Sequence, residues 1–179
     1  MSEFQDAFRE SPSRKSLVFR YRIVWLILIP LAAILFQIYV PRFVTYIRYL
    51  ELPLLVTVYF SLMRRSPVAG VFIGAAIGLA QDSLTGSNHP LGMFGIVKTL
   101  VGYFAASVSQ RVDVERSAVR FVLGFFFYFF HEFFYWVLKR ALLGQAGDFE
   151  PTQVMVLGLL NATVAVPLFH VLDKLKVAA

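Results

Sequence analysis

Apolar residues run along this chain in blocks long enough for membrane-spanning helices, which take about 20 residues each, and short polar or basic stretches divide them. The blocks predict spans at about 21–40, 47–63, 68–84, 91–109, 118–138 and 154–172. Arg14, Lys15, Arg20 and Arg22 precede the first block. It runs nearly unbroken to Val40-Pro41-Arg42 and lacks the short apolar region and small-residue cleavage site of a secretory signal, so it reads as a retained span. Pro30 inside it predicts a kink, because the carbonyl it frees can be re-satisfied by neighbouring helices.

The second block opens with Arg48 and Glu51 and contains Pro53, which leaves only a short fully apolar part. Arg64-Arg65-Ser66-Pro67 predicts a tight basic turn, since a proline disfavours helix at the residue before it. Ser83 to Pro90, rich in Ser, Gly, Asn and Pro, reads as a loop. Residues 1–20 form a polar segment, with a short interfacial helix around Phe4, Ala7 and Phe8, and residues 174–179 form a tail.

Composition strengthens the membrane reading. Of 179 residues, 58% are hydrophobic and 16% charged, against ~45–50% and ~25% in soluble chains. Six spans leave no room for a soluble domain, so the expected fold is an all-α polytopic membrane bundle. The net charge of +6 does not point to nucleic acid, which needs a basic face on a soluble surface. The basic residues lie between apolar blocks instead. The N-terminal segment, the Arg64-Arg65 turn, the Arg111–Arg120 stretch and the C-terminus carry twelve of them, and Arg42, Arg48, Lys139 and Arg140 are the four on the other side. Positive charge marks the cytoplasmic side, which predicts both termini there.

The candidate chemistry is sparse. Gly70, Gly74 and Gly78 recur every fourth residue, a spacing that lets a second helix approach closely. Gln81, Asp82, Lys98, His131, Glu132 and Asn161 lie in or beside apolar blocks, where polar groups are costly and seek partners. Lys98, Glu132 and Asn161 fall at a similar depth, about 10 Å from the external interface at the helical rise. A polar layer in the outer half of the bundle is therefore expected, with Asp82 and Glu132 as counter-ions to Lys98. A structural network that fixes register is the preferred reading; a ligand or lipid-headgroup pocket and a proton or ion pathway are the others. The aromatic run of the fifth block reads mostly as lipid-facing and packing surface, with Tyr135 and Trp136 in an interfacial belt.

No second histidine completes a zinc spacing after His131-Glu132, and no glycine-rich phosphate loop or nucleophile elbow occurs. His89 and His170 read as lone surface or interfacial residues. No catalytic residue, metal or cofactor is expected.

The stretch from Gly70 through Gly74 and Gly78 to Asp82, followed by a small polar loop and Pro90-Leu91-Gly92, resembles the rod shape-determining MreD family. The preceding Arg64–Pro67 turn is also similar. The resemblance implies a six-helix architecture like that of the substrate-binding subunits of energy-coupling-factor vitamin transporters. It further implies a non-enzymatic role in cell elongation at the bacterial inner membrane, beside the bitopic protein MreC, with the actin-like MreB and a peptidoglycan glycosyltransferase and transpeptidase pair. A vitamin-type small-molecule-binding transporter subunit is the competing function. Recognition of an MreC-like partner is expected within the membrane, on Phe126, Phe130 and Phe133 of the fifth span, because the loops are short and the glycine stripe is open to use in internal packing.

Overall fold

The computed structural model describes residues 23–85, 92–145 and 147–176. The N-terminal segment, most of the Ser83–Pro90 loop, Leu91 and the last tail residues lie outside the described residues. The chain is all-helical, with no strand among the described residues, and comprises α1 (Ile23–Tyr39), α2 (Leu52–Arg64), α3 (Pro67–Thr85), α4 (Met93–Val108), α5 (Ser117–Leu143) and α6 (Pro151–Asp173). Segments Val24–Arg42, Pro67–Thr85, Ser117–Leu143 and Pro151–Asp173 are long and apolar enough to cross a membrane, and α4 is a shorter apolar helix.

The bundle is built around α2. Every residue from Pro53 to Met63 is buried, and α1, α3, α4, α5 and α6 all touch it. With 13 residues it is about 20 Å long, short of the roughly 30 Å hydrocarbon core. A helix enclosed by others does not have to cover that thickness with its own apolar surface. It starts at Leu52, later than the hydropathy block suggests, because Pro53 favours the first helical turn. Thr45–Tyr49 forms a 3-10 turn ahead of it, so Arg48 lies outside the helix. Thr57 donates its hydroxyl to the Pro53 carbonyl at 2.8 Å.

The basic turn is as tight as expected. Arg65 adopts a left-handed conformation at φ 51°, and Pro67 opens α3 two residues later. Helix α3 continues through Ser83 to Thr85, past the expected start of the loop, and both hydroxyls return to carbonyls one turn back. Helix α5 also exceeds its block, because no glycine or proline follows Gly124 until Gly144, which ends it with φ 60°. Its 27 residues give about 40 Å, so the last turns, including Lys139 and Arg140, stand beyond a 30 Å apolar layer.

The Arg64-Arg65 turn, the α4–α5 loop and the end of α6 share one end of the bundle, tied by Gln110 donating to the Arg65 carbonyl at 3.1 Å. This is called the basic end below, and the opposite one the far end.

The glycine stripe is spent on the α3–α4 seam. A Cβ on Gly70 would fall on the Gly102 carbonyl, one on Gly74 on the Lys98 carbonyl and one on Gly78 on the Phe94 carbonyl. Backbone meets backbone along the seam, and Gly102 returns the contact from α4. A looser small-residue contact joins α5 to α6, where Gly124 faces Ala162 and Ala165.

Candidate functional site

At the far end of the seam, Asp82 faces the start of α4. Gly92 turns the chain with φ 94°, a conformation glycine adopts without a Cβ penalty, and its amide donates to Asp82 Oδ2 at 3.1 Å. The amides of Phe94 and Gly95 donate to Oδ1 and Oδ2 at 3.3 and 2.9 Å. A carboxylate at a helix N-terminus satisfies amides that have no partner within the helix and faces the positive end of the macrodipole. Asp82 is thus a helix cap, which corrects the expectation of a direct Asp82–Lys98 ion pair.

Lys98 is wholly buried, and its neighbours come from other elements. Its nearest carboxylate is Glu51 Oε2 at 4.0 Å, from the residue before α2. Its ammonium donates to His131 Nε2 at 3.4 Å and lies 4.6 Å from the centre of the Phe94 ring. His131 in turn meets Glu132 Oε1 through Nδ1 at 3.2 Å. These partners are consistent with a neutral imidazole that accepts at Nε2 and donates at Nδ1. Lys98 therefore reaches Glu132 through the histidine, not directly.

Asn161 holds the Glu51 end of this chain. Its Oδ1 accepts from the Glu51 amide at 2.9 Å, and its Nδ2 donates to the Tyr49 and Leu157 carbonyls at 2.9 and 3.0 Å. Of the polar residues expected in one layer, the structure joins Lys98, His131 and Glu132 and ties in Asn161 through Glu51. Gln81 is buried beside Asp82 in sequence, and its Oε1 has no hydrogen-bond partner among the described residues. Glu51 carries no site signal in the sequence, where it reads as the polar edge of a weak apolar block.

Beside Glu132, residues of α5, α6 and the loop between them line a cleft of about 360 Å³. Tyr128, Tyr135, Trp136 and Phe149 wall it, and Glu132, Asp148, Glu150 and Lys139 supply its charges. The connecting loop is pinned over it: Trp136 Nε1 donates to the Gly147 carbonyl at 2.7 Å, and Phe149 packs edge-on to Phe129 and Phe133. Two further hollows, of about 420 and 220 Å³, lie against α1 and α3 and are apolar apart from Arg64.

A second ionic cluster closes the basic end. Arg120 is 2% exposed, and its Nη2 is 2.6 Å from Asp173 Oδ2. Tyr59 donates its hydroxyl to Asp173 Oδ1 at 2.9 Å, and Lys176 Nζ lies 2.6 Å from the same oxygen. Arg120 Nε donates to the Val114 carbonyl at 2.9 Å. Arg120, read in the sequence as a loop cation, is thus an interior residue that fastens α5 to α6 and, through Asp173, to α2.

The three phenylalanines expected to face a partner separate into two kinds. Phe126 and Phe133 are exposed, at 49% and 38%. Phe130 lies partly buried between Phe104, Phe127 and Phe134.

Among the described residues no group of histidine and carboxylate side chains could hold a metal ion. No curated protein and no solved structure matches the chain. Residues 19–176, nearly its whole length, match the family described as rod shape-determining protein MreD. That span takes in the central helix, the glycine seam with its Asp82 cap, and both ionic clusters, and by this match the chain belongs to the MreD family.

Proposed function

We propose that this protein is a non-enzymatic subunit of the bacterial cell-elongation machinery that holds a single-span, MreC-like partner within the inner membrane. All six helices cross or enter the bilayer in this reading, as in substrate-binding subunits of energy-coupling-factor transporters. Both termini and the basic end are cytoplasmic, as the excess of Lys and Arg there favours. The partner connects the subunit to MreB and to the peptidoglycan glycosyltransferase and transpeptidase pair.

The observation that carries the partner reading is the state of the two candidate surfaces. The glycine stripe is filled by α4, whereas Phe126 and Phe133 remain exposed on α5. Most exposed large apolar side chains on α1 and α6 are aliphatic, such as Ile27, Leu28, Val156 and Leu159, with Tyr39 the aromatic one at the end of α1; Phe72 on α3 and Tyr103 and Phe104 on α4 are the other exposed helical aromatics among the described residues. Large aromatics offer more contact area, and helix association in lipid depends on packing contacts.

Affinity capture of the full chain from native membranes, followed by mass spectrometry, tests the proposal. A bitopic protein retained in near-equal amount is the expected result. A tightly held vitamin-like molecule with no such protein would replace this reading with the transporter one. Reporter fusions after Ala179 and within 148–153 test the orientation, with cytoplasmic and external locations expected respectively.

A further inference from the structure

The cleft between α5 and α6 has an unbalanced charge. Glu132, Asp148 and Glu150 line it against Lys139 alone, and Lys139 Nζ is 5.5 Å from the centre of the Tyr135 ring, over its face. The imbalance continues beneath the floor. Lys98 stands 4.0 Å from Glu51 and reaches Glu132 only through His131, so one buried ammonium serves two carboxylates. Glu51 Oε2 has no hydrogen-bond partner. Glu132 is held through Oε1, and no hydrogen bond to its Oε2 occurs among the described residues. The Glu132 side chain is 30% exposed and lines the cleft, so its second oxygen is open to a positive group there.

The walls decide which kind of cation fits. Tyr128 and Phe149 offer ring surface, and Tyr135 and Trp136, whose faces already meet Lys139 and Arg140, add ring edges and hydrocarbon, which together suit the carbon substituents of an alkylated ammonium. A bare metal ion wants several converging oxygen or nitrogen ligands, and no such group of side chains occurs among the described residues. The carboxylates disfavour anions. The cleft lies at the level where α5 leaves the apolar layer, within reach of both lipid headgroups and solutes.

We propose that this cleft binds an organic ammonium group, primary or quaternary, with its charge against Glu132 and its carbon substituents among the aromatic walls. The group is carried either by a lipid headgroup or by a free amine. The proposal does not depend on the partner reading, although Phe133 of the outward face packs against the cleft walls Trp136 and Phe149.

Trp136 lines the cleft and Trp25 is the only other tryptophan, so the full chain with Trp25→Phe reports on the site by fluorescence. Choline and ethanolamine in detergent micelles are expected to give a saturable change. The uncharged isostere 3,3-dimethylbutan-1-ol should bind at least tenfold more weakly than choline. Glu132→Gln should weaken the amines by at least tenfold. Asp148→Asn with Glu150→Gln, on an exposed rim that folding does not need, should weaken them several-fold and decides the matter if Glu132→Gln fails to fold.

Nanodiscs separate the sources. A bound-state emission in phosphatidylethanolamine but not in phosphatidylglycerol, with no further response to choline, assigns a headgroup. Equal choline titration in both lipids assigns a free amine. No saturable response in micelles together with no difference between the lipids would overturn the proposal. So would equal binding of the uncharged isostere, or amine binding unchanged in the carboxylate variants.

Discussion

The α3–α4 seam and the outward face of α5 are each rich in one kind of residue, and the bundle uses them in opposite ways. On α3, Gly70, Gly74 and Gly78 bring two backbones together until no room is left for a methyl group. On α5, Phe126 and Phe133 project from the bundle without being covered by it. Small residues in a membrane helix promote association because they permit close approach, but that capacity is exhausted once an internal helix has taken it. Aromatic residues pack without being enclosed, so a face of them is left available. Motif strength alone favours the glycine stripe as a docking site; its occupancy by α4 is what the proposed partner face on α5 rests on.

The largest effect should come from the seam. Gly74→Leu places a side chain where the Lys98 carbonyl and the Thr99 backbone already lie, and neither is the flexible end of a side chain that could turn away. Overpacking commonly costs ~1–3 kcal/mol and sometimes more, and here two backbones must part. Loss of monodisperse protein in detergent chromatography is expected. A well-folded Gly74→Leu protein would mean that the seam is not closed.

Next in size is the basic-end cluster. Arg120→Ala removes the buried partner of Asp173, but Asp173 is 24% exposed and keeps Tyr59 and Lys176, so the loss should stay below the ~3–5 kcal/mol of a fully buried pair. A large drop in thermal unfolding temperature is expected, and Arg120→Met together with Asp173→Asn should recover part of it.

Smaller again are the effects inside the Lys98 cluster, whose ion pair is longer. A double-mutant cycle between Lys98→Met and Glu51→Gln should show coupling of about 0.5–3 kcal/mol, as for residues in one network. Because Asp82 is occupied by the amides of Gly92, Phe94 and Gly95, Lys98→Met and Asp82→Asn should couple more weakly than Lys98→Met and Glu51→Gln do. The reverse pattern would place Asp82 at the lysine and leave Glu51 without a role. Asp82→Asn alone should cost ~0.5–2 kcal/mol, the range of a lost helix cap.

The helical blocks were legible because a chain in lipid must satisfy its backbone hydrogen bonds within each helix, which leaves long apolar runs in the sequence. What hydropathy does not report is whether an apolar residue meets lipid or protein. Leu54, Leu55 and Val58 at the centre of the bundle look the same in sequence as Ile27 and Leu28 on its surface. The polar residues of the candidate site were visible for a related reason, since each interrupts an apolar block. Their pairing was hidden because it depends on the packing of distant segments. Asp82 binds backbone amides, which leave no side-chain signature. Glu51 meets Lys98 only because Asn161, far along the chain, fixes the turn before α2. Arg120 stands just inside α5, where a cation is easily counted with the preceding basic loop.

The smallest effect on stability should come from the face expected to matter most for assembly. Phe126→Leu with Phe133→Leu alters rings that are partly exposed, with Phe133 also meeting Trp136 and Phe149, whereas adding Phe130 would disturb the packing with Phe104 and Phe134. Unfolding temperature should hardly move, while capture of a single-span partner should fall. The most direct measurement is photo-crosslinking in native membranes, with a photoreactive phenylalanine analogue at position 126 and, in a separate protein, at Phe72, which is 70% exposed on α3. The account predicts a discrete adduct with a bitopic membrane protein from position 126 and none from position 72. An adduct from position 72 with none from position 126 would contradict it and place the partner against α3.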